Sequence, residues 1–335
     1  MPRDPSPFQS ILVPLDGSPL AEQAIPLASR IAQPAGSKLR LALVHQLPAA
    51  PLDAASARMF TSIELATRKS ERSYLRAIQA RLRESGIRLS AATTLTGGSP
   101  GPTLAEYARD AGVDLVVMAT HGRGGLRRAW VGSVADHLVR SLEIPVLLVR
   151  PTEGQAPAGA AGAGSILVPL DGSPLAEQAL DAAMALARLW DREVMLLYVV
   201  APVVMSIDGA VPMPSAYDEE LTAMARAQGQ DYLDDVVERI RAQGLRATGV
   251  AVIGWSTVGT ILDAAPVGRV AAIVLATHGR GGLRRLALGS VADKLVRAAE
   301  VPVLVYRPTG GSKPKQQKPS RQGSRPRRPA RKAGR

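Results

Sequence analysis

Ser10–Ala24 reads SILVPLDGSPLAEQA, and Ser165–Ala179 repeats it letter for letter. An aliphatic run, a DGSP turn and the start of a helical pattern make this block the strand-to-helix corner of a βα unit. A second shared block, ATHGRGGLRR, occupies Ala119–Arg128 and Ala276–Arg285, and GSVAD follows it in each copy, at Gly132–Asp136 and Gly289–Asp293. The chain is therefore a tandem repeat with the same internal order in both copies.

Outward from these blocks, short aliphatic runs alternate with longer helical patterns, the signal for βαβ units and a parallel sheet. In the first copy the strands read as Ser10–Leu15, Lys38–Gln46, Arg88–Leu95, Asp114–Ala119 and Pro145–Arg150. Helices read as Pro19–Ala32, Arg58–Ser85, Pro102–Ala111 and Gly132–Ser141. The second copy gives strands at Ser165–Leu170, Glu193–Val200, Arg246–Ile253, Val270–Ala276 and Pro302–Arg307. Near-continuous Val, Ile and Leu content implies burial on both faces, as parallel strands require.

The expected fold class is α/β: two tandem doubly wound, Rossmann-like domains, each a five-stranded parallel sheet of order 3-2-1-4-5. A length of 335 residues suits two domains. Boundaries fall at a flexible N-terminus (1–9), domain 1 (10–151), an Ala-, Gly- and Pro-rich linker (152–164), domain 2 (165–309) and a basic tail (310–335). The last strand of each copy, PVLLVR and PVLVYR, is apolar on both faces yet lies at a sheet edge. The two copies are expected to cover these edges by pairing through 145–150 and 302–307 as an internal pseudo-dimer, with a further homodimer left open.

Composition excludes several chemistries. There is no cysteine, so disulfides, thiol nucleophiles and zinc–thiolate sites are out, and the four histidines are too few for a rich metal site. Aromatic residues make up only 3%, so the core must be aliphatic. No apolar run approaches the ~20 residues that span a bilayer, and the expected location is cytoplasmic. The net charge of +12 belongs mostly to the tail: ten basic and no acidic residues lie in 310–335, leaving +2 for everything before. Lacking apolar periodicity, this tail is expected to stay disordered and to meet nucleic acid or an anionic surface only non-specifically.

In a doubly wound sheet, ligands bind outside the carboxyl ends of the strands where the order reverses, which is where both shared blocks lie. Asp16 and Asp171 end the first strand of each copy. THGRGG followed by a helix opening at GSVAD reads as a phosphate cradle, with glycines admitting close backbone approach and a helix N-terminus supplying N–H donors. Ser133 and Ser290 read as N-cap-like residues able to cap that helix or to donate to a phosphate. The bland readings stand beside these: Gly-Ser before a helix is also an ordinary cap, and His121 and His278 are loop histidines or phosphate contacts. No carboxylate pair, P-loop lysine or Ser–His–Asp set is evident, so no residue is assigned as catalytic and none as a metal ligand.

These residues resemble the universal stress protein family, whose ATP-binding members carry Gly-x-x-Gly, nine residues, then Gly-Ser or Gly-Thr, with an Asp after the first strand. Here Ala119 to Gly122 precedes Gly132–Ser133 and Ala276 to Gly279 precedes Gly289–Ser290, at that spacing, with alanine at the first glycine. The resemblance implies ATP, with or without Mg, bound by each copy. Asp16 and Asp171 would contact adenosine, and Gln46 and Val199, at the end of the second strand, would flank adenine. Gly122, Gly132, Ser133 and Val134, with Gly279, Gly289, Ser290 and Val291, would hold phosphates and ribose. Pro14 and Pro169 would shape the wall, with Arg123, Arg280, His121 and His278 nearby. Trp255 stands where the first copy has Ser99, and Ala272 where it has Asp114, so the two sites are expected to differ. Binding without efficient turnover is the expectation; a nucleotide-independent interaction module is the alternative.

Overall fold

The computed structural model describes residues 8–46, 54–87, 89–120, 132–151, 164–204, 218–277 and 288–307. The first half runs β1 (Ser10–Leu15), α1 (Pro19–Glu22), α2 (Ala24–Ala35), β2 (Lys38–His45), α3 (Ala54–Glu84), β3 (Leu89–Thr96), α4 (Pro100–Asp110), β4 (Leu115–Ala119), α5 (Ser133–Ser141) and β5 (Val146–Val149). The second half repeats it as β6 (Ser165–Leu170), α6 (Pro174–Glu177), α7 (Ala179–Trp190), β7 (Val194–Val200), α8 (Glu219–Arg241), β8 (Ala247–Ile253), α9 (Thr257–Asp263), β9 (Val270–Ala276), α10 (Ser290–Ala298) and β10 (Val303–Tyr306).

All ten strands form one sheet in the order β3-β2-β1-β4-β5-β10-β9-β6-β7-β8. Each half is parallel and in the expected 3-2-1-4-5 order, and the halves meet where β5 and β10 pair antiparallel, with Leu147 opposite Leu304. The apolar edges that would otherwise be open are thereby buried against each other. Two reciprocal contacts brace this seam. Arg150 Nη1 reaches the Ala298 carbonyl at the end of α10, 3.5 Å away, and Arg307 Nη1 donates to the Arg140 carbonyl near the end of α5. Each places a cation at a helix C-terminus, where the backbone dipole favours it. On the other face the Arg30 guanidinium lies 4.8 Å from the Trp190 ring centroid, joining the halves through a cation–π contact.

The core is aliphatic on both faces of the sheet. Leu27, Ile31, Leu75 and Ile78 of α2 and α3 cover one face with their counterparts from α7 and α8, and Leu104, Leu138 and Leu295 of α4, α5 and α10 cover the other. Ser18 and Ser173 cap α1 and α6, each Oγ accepting an N–H three residues on, with proline at the first helical position. The expected single helix Pro19–Ala32 is two, because the Gln23 N–H bonds to Leu20 O, three residues back, and tightens the turn.

Four sequence expectations are corrected. The N-terminus is held from Phe8 onward: Phe8 is buried, and Gln9 and Ser10 donate their N–H groups to the Asp114 carboxylate at 2.6 and 2.9 Å. Burial raises the Asp114 pKa above the usual carboxylate value, while these backbone bonds pull it down. The residue opposite Asp114 in the second half is Ala271, since Ile11 faces Leu115 as Ile166 faces Ala272. Trp255 lies opposite Gly98, because Ser256 caps α9 as Ser99 begins α4. The helix after β2 begins at Ala54, one turn before the expected Arg58, in an alanine-rich stretch that suits a helix. Residues 308–335, which include the whole tail (310–335), most of the linker (152–163), and 47–53 and 205–217 lie outside the described residues. No described helix is long and apolar enough to cross a membrane.

Candidate functional site

The crevice is opened by a proline. Pairing of β1 with β2 runs to Leu15, but pairing of β1 with β4 stops at Leu12. Pro14 lies two residues further on and has no N–H for a ladder, so the strands separate on the β4 side as they approach the carboxyl edge. The second half does the same: β6 pairs with β9 only to Leu167, with Pro169 beyond it. Pro14 and Pro169 thus stand at the wall of a gap at the point where strand order reverses.

Asp16 and Asp171 sit at the floor of that gap. Asp16 Oδ1 accepts from the Ser18 N–H at 2.9 Å and from Ser18 Oγ at 2.6 Å, and Asp171 Oδ1 accepts from the Ser173 N–H at 3.0 Å. Gly17 and Gly172 make these turns possible at φ 83° and 78°, a region that costs an L side chain. The carboxylates therefore have a local role in setting the corner. A carboxylate offers about four lone-pair positions, so the turn does not exhaust its accepting capacity.

Across the gap, Ala119 and Ala276 end β4 and β9 as strand residues paired with Val149 and Tyr306. Neither has a positive φ, so the glycine of the family pattern is not needed at this point. His121, Gly122, Arg123, His278, Gly279 and Arg280 lie outside the described residues. The described residues on either side are joined, the Gly132 N–H donating to Thr120 O at 2.7 Å and the Gly289 N–H to Thr277 O at 2.8 Å. The helix caps are Gly132 and Gly289, not the serines; Ser133 and Ser290 are the first helical residues and are exposed. Glycine has no side chain to cap with, so among the described residues the first-turn N–H groups of α5 and α10 are given no cap from their own N-cap residue. Val134 and Val291 pack against the core layer beneath.

Gln46 and Val199 are not equivalents. β1 pairs Leu15 with Leu43 as β6 pairs Leu170 with Tyr198, so the counterpart of Val199 is Val44, and Gln46 lies two residues further on. Val44 and Val199 pack against the same apolar layer as Val134 and Val291. The longer apolar run of β2 hid this: LALVH offers no mark of where the strand meets the pocket.

Two further arrangements escaped the sequence. His45, almost wholly buried, places Nδ1 2.9 Å from Glu71 Oε2 on α3; a carboxylate only accepts, so Nδ1 carries the hydrogen. In the second half Val200 replaces His45, and Tyr198 packs over Gly229, where an added Cβ would lie 2.9 Å from the ring. Beside each floor carboxylate stands a Tyr–Glu–Arg cluster: Glu22 with Arg81 and Tyr74, and Glu177 with Arg239 at 2.7 Å and Tyr232 at 2.9 Å. Burial and the adjacent carboxylates push both phenols well above the ordinary tyrosine value. Among the described residues no group of three or more His, Asp or Glu is placed to hold a metal ion.

The profile of the universal stress protein family matches residues 7–150 and again 163–307. The chain belongs to that family. A universal stress protein of Mycobacterium tuberculosis is 30% identical over 223 residues, 66% of this chain and 70% of its own length. A second from the same organism is 28% identical over 320 residues, covering 89% of this chain and 94% of the relative. Among solved structures, a universal stress protein from Archaeoglobus fulgidus shares the fold at TM-score 0.60 and 17% identity, over 90% of this chain and 98% of the other. A functionally unknown protein of Pseudomonas aeruginosa does so at TM-score 0.62 and 18% identity, over 90% and 93%.

Proposed function

We propose that this universal stress protein binds adenine nucleotide, ATP, in the crevice of each half and serves as a nucleotide-responsive regulator rather than an efficient ATPase. One observation carries the reading: in both halves a proline-terminated ladder, an Asp turn and an uncapped helix N-terminus converge at the switch point. The first-turn N–H groups at Gly132–Val134 and Gly289–Val291 suit phosphate oxygens. Asp16 and Asp171 suit ribose hydroxyls, which donate to a carboxylate, and Val44 and Val199 suit the face of a base. Mg²⁺ would arrive on the phosphates. Binding is favoured over turnover because each floor carboxylate also holds its own turn, and the carboxylate beside it, Glu22 or Glu177, is paired with an arginine, Arg81 or Arg239.

Calorimetric titration of the full chain with Mg–ATP tests this, with Gly132→Val plus Gly289→Val as the control. Saturable binding that the double variant loses is expected. Absence of saturable binding by the native chain removes the reading and leaves a nucleotide-independent interaction module; equal binding by the variant removes the placement at the helix N-termini. The tail, 310–335, is assigned a separate, non-specific attraction to anionic polymers or surfaces, which its deletion should abolish at low salt.

A further inference from the structure

The two outer edges of the sheet are finished differently. At the β8 edge, α8 turns three side chains onto the strand: Gln230 bonds Gly249 O and the Ala251 N–H, Arg226 Nε donates to Ala251 O, and Arg241 donates to Ala247 O. Ala251 is wholly buried beneath them. The β3 edge is set in the same register. Leu43 faces Thr94 as its counterpart Tyr198 faces Ala251, and Leu41 faces Ala92 as Leu196 faces Gly249. Counting along the helices from Tyr74 and Tyr232, the residues Arg68, Arg72 and Arg83 of α3 stand in the places of Arg226, Gln230 and Arg241. None of the three covers the strand: among the described residues no side chain bonds the backbone of Ala92 or Thr94. Arg68 pairs instead with Glu64, 2.8 Å away, and its Nε, the atom that Arg226 gives to the strand, is buried without an acceptor. Thr94, unlike Ala251, is only half-buried.

The sequence of β3, LSAATTLT, has no charge, proline or glycine to blunt an edge. A strand edge left uncovered takes another strand through its N–H and C=O groups. What can stand opposite is set by α3. Lys69 and Arg76, three residues before and four after Arg72, share its flank of the helix, and all three are exposed. At the same places α8 has Ala227, Gln230 and Asp234. Two copies of β3 pairing antiparallel in one continuous sheet, as β5 and β10 do, would set two such cationic flanks side by side, which disfavours a second copy of this chain as the occupant. An extended segment with carboxylates on the α3 side meets both needs: its backbone continues the ladder and its side chains reach the cations.

We propose that the β3 edge, with Lys69, Arg72 and Arg76 beside it, is a docking surface for an extended acidic peptide segment of a partner protein, added as a further strand of the sheet. The surface lies two strands away from the crevice between β1 and β4 and does not rest on the nucleotide reading. The experiment is fluorescence anisotropy of the full-length chain with a labelled, end-blocked peptide of alternating Glu and Val, as long as β3. The control peptide is N-methylated at alternate backbone amides, which keeps the charge and removes the strand donors. Arg72→Gln puts into α3 the residue that covers β8, and leaves the charge of the tail intact; far-ultraviolet dichroism confirms that it folds. The native chain should bind the acidic peptide saturably, about tenfold more tightly than Arg72→Gln, while Arg72→Lys keeps most of the affinity and N-methylation abolishes it. Amide hydrogen exchange at Thr94 should slow when the peptide binds. No saturable binding by the native chain would overturn the proposal and leave the cations as a fence against self-pairing. Equal binding of the N-methylated peptide, or equal binding by Arg72→Gln, would also overturn it, since either assigns the peptide to plain charge attraction, the basic tail included. A native dimer that Arg72→Gln dissociates in sedimentation velocity would give the edge to a second copy instead.

Discussion

The outer edge of β8 ends the ten-stranded sheet on one side, and α8 covers its backbone with side chains. Gln230 is central: its Nε2 donates to Gly249 O at 3.1 Å and its Oε1 accepts the Ala251 N–H at 2.9 Å, the two groups that an added strand would use. Arg226 Nε donates to Ala251 O at 3.0 Å, and Arg241 donates twice to Ala247 O, at 3.1 and 2.8 Å. The perturbation is Gln230→Ala. Two backbone-directed bonds at about 0.5–1.5 kcal/mol each give a loss of about 1–3 kcal/mol, and water reaching the opened edge places the result in the lower half of that range. The second consequence is association. Val250 and Ile253, 40% and 41% exposed, lie on this strand, and an unpaired edge carrying them is a template for another strand. Urea denaturation followed by far-ultraviolet dichroism reads the stability, and sedimentation velocity across a concentration series reads the association. Gln230→Glu is the discriminating variant: its carboxylate can still accept from Ala251 but would face both Gly249 O and the Asp234 carboxylate, which Gln230 Nε2 meets at 3.1 and 2.8 Å, with no hydrogen to give, so it should be no more stable than alanine. A Gln230→Ala chain as stable as the native one, with the same sedimentation at every concentration, would refute the edge-cover reasoning.

Three further outcomes are expected. Leu304→Ala, at a wholly buried position opposite Leu147 on the seam, should cost about 2–5 kcal/mol and lower the first denaturation midpoint of the whole chain. Gly17→Ala or Gly172→Ala should cost about 1–2 kcal/mol, because φ 83° and 78° crowd a Cβ, and thermal melts would register it; an unchanged melt would mean that the turn relaxes. Tyr74 and Tyr232 have raised folded pKa values, so the unfolded phenols ionise first and stability falls as pH climbs past the ordinary tyrosine value of about 10. The double variant Tyr74→Phe plus Tyr232→Phe should flatten that alkaline fall in a series of melts across pH 9 to 11.

Most of the fold was legible because its signals are local. Aliphatic runs bounded by DGS and by GSVAD mark strand ends and helix starts, and the identical blocks force the same corner twice. Register is another matter, since it depends on pairing between distant segments. The family resemblance names Gln46 and Val199 together at the end of the second strand, whereas the register of the sheet makes Val44 the counterpart of Val199. The same kind of slip put Trp255 against Ser99 instead of Gly98. Nor could the sequence show that serine in GSVAD yields the cap position to glycine, a one-residue difference that leaves the N-cap residue without a side chain to cap with. The His45–Glu71 contact spans 26 positions with no motif to announce it.

The pattern of identity and difference between the halves is itself informative about the ligand. What is identical letter for letter is the Asp-Gly-Ser turn with its flanks, ATHGRGGLRR at Ala119–Arg128 and Ala276–Arg285, and the GSVAD helix start. What differs sits at the end of β2 or β7 and the turn after β3 or β8, where His45, Glu71 and Gly98 stand against Val200, Gly229 and Trp255. Packing alone does not require such identity, because buried positions tolerate exchange among aliphatic residues of similar volume. A shared demand on the floor and the phosphate side, with a relaxed or divergent demand on the base side, meets both observations. On that reading one chain carries two sites of common phosphate chemistry that answer differently to what the phosphate is attached to.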